Sequence, residues 1–67
     1  MGSNVARASR MAQLAEEVWE DAGLAREFLL SAQPQFGGKR PVDMARSEVA
    51  TRQVEELLFR LEWSLPV

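Results

Sequence analysis

Apolar residues recur three and four positions apart along nearly the whole chain, and nowhere do β-branched or aromatic residues alternate with polar ones. That spacing belongs to helices packed through one face and leaves no strand to place. It predicts a first helix from about Val5 to Glu20, with Met11, Leu14, Ala15, Val18 and Ala22 on one face and Trp19 at its edge. Asp21 is an N-cap type for a second helix, with Glu27 in its early turns and Leu24, Ala25, Phe28, Leu29 and Ala32 as its inward stripe. The link between them is almost nil, so the two helices are expected to meet at a sharp angle.

Gln33 to Arg40 breaks the pattern. Pro34 pushes Gln33 out of helical dihedrals, and Gly37-Gly38 permits positive φ. Pro41 suits the first turn of a short helix to about Ala45, because the N–H it lacks would be unbonded there. Ser47 and Glu48 then open a last helix to about Trp63. Phe36 is the apolar residue of the loop. It reads as a plug under the glycines, or else as a surface ring; Phe36, Gly37, Gly38 and Pro41 together make a structural loop. The fold class is all-α: one domain over residues 1–67, a bundle of about four helices (long, medium, short, long) with a Gly-Gly loop. Residues 1–4 carry no weight, since Met1-Gly2-Ser3 has the look of a cloning scar.

A chain of 67 residues buries only about 60% of the surface it exposes when unfolded, so its stability is expected to be marginal. Disulfides or a structural metal often compensate in small folds, but the sequence has no Cys and no His. The same absences, with that of Tyr, remove the thiolate, the imidazole base, the Ser–His pair and the common zinc sites. Glu16, Glu17, Glu20, Asp21, Glu27, Glu48, Glu55, Glu56 and Glu62 have helix-surface spacing and read as a solvated face. Gly37-Gly38 fits no phosphate-cradling loop pattern. We expect no enzyme, no cofactor and no metal.

The formal charge is −2 and the pI about 5.0. A domain that holds DNA by its own charge shows a basic face and a pI above about 9. Here the basic residues are scattered apart from Lys39-Arg40 and Arg7 and Arg10, so DNA binding by this segment is not expected. No apolar run approaches the ~20 residues of a membrane span. The cytoplasm is the expected location.

The last helix has two apolar faces. At about 100° per residue with Val54 at zero, Leu57, Leu58, Leu61 and Leu65 fall within roughly 60°, while Phe59 and Trp63 fall near 140° and 180°. One narrow helix in so small a protein cannot easily bury both sides. The aromatic pair is therefore a candidate contact surface for another protein. A second reading has the helix stop early at Pro66 and the Trp63 indole fold back onto the core. Ser64-Leu65-Pro66-Val67 keeps the chain apolar to its end, where termini are usually polar, so it is expected to dock.

Four stretches resemble the C-terminal toxin-binding domain of the Xre/MbcA/ParS antitoxins, the partners of RES-domain toxins. Ala15-Glu16-Glu17-Val18-Trp19-Glu20-Asp21 is similar to A-x-x-V-[FW]-G-D, and Ala25-Arg26-Glu27-Phe28-Leu29 follows it where the family has A-x-x-W-L. Pro34-Gln35-Phe36-Gly37-Gly38-Lys39-Arg40-Pro41-Val42-Asp43-Met44-Ala45 resembles P-x-L-G-G-x-x-P-x-x-L. Val54-Glu55-Glu56-Leu57-Leu58-Phe59-Arg60-Leu61-Glu62 resembles V-x-x-L-L-x-R-I-E. The likeness covers about residues 12–67. It implies an antitoxin, or its toxin-binding fragment, of a type II toxin–antitoxin system. Its partner would be a RES-domain toxin that consumes NAD or transfers ADP-ribose, neutralised by covering the active site.

Mapped onto this chain, the resemblance implies Phe59 and Trp63 as anchors, Arg60 as a partner for acidic groups, and Ser64, Leu65, Pro66 and Val67 as an inserted tail. Two departures stand out. Trp63-Ser64 replaces a Gly that would cap the last helix, and the chain has no room for the family's N-terminal helix-turn-helix. Operator binding is therefore not carried over. The alternative from another class is a helical regulatory module that homodimerises through Phe59 and Trp63 without a toxin.

Overall fold

The computed structural model describes residues 3–63. Three α-helices and two short 3₁₀ segments follow one another: α1 Asn4–Trp19, α2 Ala22–Leu30, a 3₁₀ turn Pro34–Phe36, a 3₁₀ helix Pro41–Arg46, and α3 Glu48–Trp63. The fold is all-α, in the long, medium, short, long order expected, with no strand among the described residues. The short helix departs in detail: it is 3₁₀ rather than α and runs one residue further, to Arg46.

Each boundary has a local chemical cause. Ser3 Oγ accepts the Ala6 N–H at 3.0 Å and caps α1. At its other end Glu20 is left-handed, φ 52° and ψ 34°, with its N–H on the Glu16 carbonyl at 2.7 Å. This residue makes the sharp corner, and it corrects the expectation that Ala22 continues the α1 face: Ala22 opens α2 and is exposed. An L side chain in this region costs about 1–2 kcal/mol. Glu20→Gly is therefore expected to stabilise the fold by about 0.5–1 kcal/mol, raising the melting temperature by ~2–8 °C. Thermal unfolding followed by circular dichroism checks this, and a lower melting temperature would contradict it.

Asp21 Oδ1 accepts the Leu24 N–H at 2.9 Å and starts α2. Ser31 ends it, with its hydroxyl on the Glu27 carbonyl at 2.6 Å and extended backbone dihedrals. Ala32 thus lies outside the helix, and Leu24 is 48% exposed; both leave the predicted inward stripe. The contact of α2 with α1 runs through buried Ala25, half-buried Phe28 and Leu29, and a Trp19–Phe28 ring pair 5.0 Å apart at 39°.

The loop is closed on itself. Gln33 donates its N–H to the Lys39 carbonyl at 3.1 Å, and Gly38 donates to the Gln33 carbonyl at 2.9 Å. Gly37 and Gly38 take φ of 68° and 82° to make that ring. A Cβ on either would meet nothing within 4 Å, so the need for glycine is conformational. Phe36 is half-buried and packs against the core cluster.

That core is Met11, Ala15, Ala25, Met44, Ala45, Val54 and Leu58. Two polar residues join it. Thr51 is fully buried, its hydroxyl on the Ser47 carbonyl at 2.7 Å and the Met44 carbonyl at 3.3 Å. Arg7, read from sequence as part of a basic N-terminal pair, is buried instead. Its Nε donates to the Ala45 carbonyl, and its Nη2 to the Arg46 carbonyl at 3.1 Å and to Asn4 Oδ1 at 2.8 Å. The guanidinium thereby satisfies carbonyls left open at the end of the second 3₁₀ segment.

Glu48 lies 3.8 Å from Arg7 and 3.5 Å from Arg10, and Glu55 3.3 Å from Arg10, which ties α1 to α3 across an exposed edge. These two carboxylates are paired rather than merely solvated, though exposed pairs add only up to about 1 kcal/mol each.

Candidate protein-binding surface on the last helix

Ser47 Oγ accepts the Ala50 N–H at 3.0 Å and sets the start of α3. From there the helix presents Thr51, Val54 and Leu58 to the core, fully buried, with Leu57 and Leu61 half-buried beside them. Phe59 and Trp63 stand on the other side, 45% and 79% exposed. The helix continues through Trp63, and the indole is not folded back onto the core. Arg60 is exposed and lines a depression of about 310 Å³ with Gln35, Phe36, Gln53, Glu56 and Leu57. Ser64, Leu65, Pro66 and Val67, assigned to a docking tail from sequence, lie outside the described residues.

One member of this face escaped the sequence reading. Val49 is 72% exposed and falls near 220° on the same wheel, within about 80° of Phe59 and Trp63. The signal was available in the periodicity, but Val49 is separated from the aromatic pair by about three helical turns and by Arg52 and Glu56. The face is thus an aromatic patch at the C-terminal end, with one isolated aliphatic residue near the N-terminal end.

The model of the antitoxin Xre/MbcA/ParS C-terminal toxin-binding domain matches residues 14–63. The chain belongs to this family. A relative described as antitoxin Xre, from Pseudomonas putida, is 33% identical over 55 residues, which are 82% of this chain and 35% of the relative. The chain thus spans about a third of the length of that relative.

Membership gives the described geometry a pattern to be compared with. Glu20 stands where the family pattern has Gly, at the left-handed corner between α1 and α2. Gly37 and Gly38 occupy the pattern's Gly-Gly with the positive φ it requires. Pro41 is buried at the start of the second 3₁₀ segment. The two glycines shape the turn that brings Phe36 against the core; Phe59 and Trp63 project from a different element. Next to the turn, Arg40 holds Asp43 through two bonds, Nε–Oδ2 at 2.9 Å and Nη2–Oδ1 at 3.0 Å. Those hydrogen bonds, helped by the charges of Arg40 and Arg46, keep the Asp43 carboxyl below the usual carboxylate range. The pair's contribution is present above pH ~4 and fades as the pH falls further and Asp43 is protonated. Both groups are exposed, so the effect on stability is small.

Among the described residues no helix is long and apolar enough to cross a membrane.

Proposed function

We propose that this chain neutralises a RES-domain toxin by steric occlusion, with the C-terminal end of α3 laid over the toxin's active-site cleft. The observation that carries this reading is the exposed Phe59–Trp63 pair on the outward face of α3, in a chain of a toxin-binding family. Large aromatic anchors with two side-chain torsions give much contact area at low entropic cost, and they dominate protein–protein hot spots. Arg60, on the same helix, pairs with acidic groups on the toxin. The Ser64 to Val67 tail follows the anchors into the cleft.

The NAD-consuming or ADP-ribosylating chemistry belongs to the partner. This chain supplies no catalytic group and binds no cofactor. It works where the toxin does, in the cytoplasm, and this segment by itself does not bind DNA.

Co-expression with the product of the neighbouring reading frame tests the proposal. The neighbour alone should arrest growth, and this chain should restore it and co-purify with the toxin. A chain that neither restores growth nor co-purifies would overturn the reading. Self-association through Phe59 and Trp63 without any effect on the toxin would favour a homodimerising module instead.

A further inference from the structure

A groove of about 1030 Å³ runs between the Gly-Gly loop, the second 3₁₀ segment and the first half of α3. Phe36, Met44 and Ala50 give it an apolar floor, Gln35 and Gln53 line it with amides, and Lys39, Arg40 and Arg46 bring three cations against one carboxylate, Asp43. Arg40 is spent on Asp43. Lys39 and Arg46 are exposed, and neither side chain has an ion-pair partner among the described residues. In a chain of net charge −2, this is a local reversal of sign.

Gln35, Phe36 and Gln53 also line the depression that ends at Arg60. The two depressions therefore share part of their lining, and the second reaches Arg60, the residue that follows Phe59 on α3.

We infer that this groove receives an acidic segment of the same partner protein, whose carboxylates pair with Lys39 and Arg46 and whose apolar side chain rests on Phe36 and Met44. The inference rests on the reading of α3 as the toxin-binding face, because the lining shared with the depression at Arg60 selects the occupant. Unpaired cations flanking an apolar floor match carboxylates, and amide side chains can bond an extended backbone. Lys39 and Arg46 are too few to track a nucleic-acid backbone, and the chain as a whole carries a net charge of −2. Glu16, Glu17, Glu20, Asp21 and Glu27, all exposed, make a second copy of this chain the competing occupant.

The test is the double variant Lys39→Glu/Arg46→Glu of the full chain, titrated against the co-purifying toxin at ~50 mM and ~1 M salt. Both side chains are exposed, so the melting temperature should hold; Lys39→Gln/Arg46→Gln serves as the milder variant if it does not. The expected result is a Kd raised at least ~10-fold at low salt, mainly through slower association, with the gap closing to under ~2-fold at high salt. An unchanged Kd at low salt with tight binding by the unaltered chain would overturn the groove and spare the α3 reading. So would a change in the self-association of the isolated chain with toxin affinity intact, which would assign the groove to a second copy. Failure of the unaltered chain to bind the toxin would overturn both.

Discussion

A chain cut after Glu62, lacking Trp63 to Val67, is expected to keep its helical circular dichroism and lose the ability to neutralise the toxin. The fold should survive because the described part of the deletion is a single exposed side chain: Trp63 is 79% exposed, and among the described residues the last member of the core is Leu58. Binding should fail because the cut removes one of the two proposed aromatic anchors and the apolar tail. An anchor of this kind is worth about 2–4 kcal/mol, which is a ~30- to 1000-fold loss of affinity before the tail is counted. Growth rescue by the truncated chain, with melting and expression unchanged, would exclude the tail-and-anchor mechanism.

The largest effect on stability is expected at Arg7. Arg7→Met keeps the aliphatic stem but removes every donor, leaving the Ala45 and Arg46 carbonyls without the bonds that close the second 3₁₀ segment. Charged hydrogen bonds of this sort contribute about 1.5–3 kcal/mol, and a buried carbonyl left unbonded adds to the cost. The sum, about 2–4 kcal/mol, is a large share of what so small a domain has, and a melting temperature lower by ~10 °C or more should follow. Arg7→Lys should recover only part, since one ammonium cannot reproduce a planar fork that reaches acceptors on α1 and on the 3₁₀ segment together. A Met variant melting within ~2 °C of the parent would show that the guanidinium bonds are incidental.

The contrast between these two sites shows what the sequence made legible. Helix starts at Asp21, Pro41 and Ser47 could be read because capping acts over three residues or fewer. The outward placement of Phe59 and Trp63 could be read because a wheel needs only the spacing within one helix. Arg7 could not: its partners lie 38 and 39 positions away, and a charged residue near a chain end looks like surface until the tertiary contact is known. Ala22 and Ala32 were misplaced because the corner at Glu20 and the stop at Ser31 each cut a periodic run that looked continuous.

Thr51 stood within the angular range of the core stripe. A hydroxyl bonded back to the carbonyl four residues earlier can be buried at little cost, and the residue type alone does not show that bond. The groove beside the Gly-Gly loop was not legible either, since its lining joins residues from the loop, the 3₁₀ segment and α3.

Toxin binding is proposed to centre on the outward face at the end of α3. The most direct test is calorimetric titration of the purified toxin with the intact chain, with Phe59→Ala/Trp63→Ala, and with Leu24→Ala as an exposed aliphatic control on α2. The account predicts a Kd at least ~100-fold weaker for the aromatic double variant, with the control within ~2-fold of the parent and all three chains equally helical. Equal affinities for the parent and the aromatic double variant would contradict it.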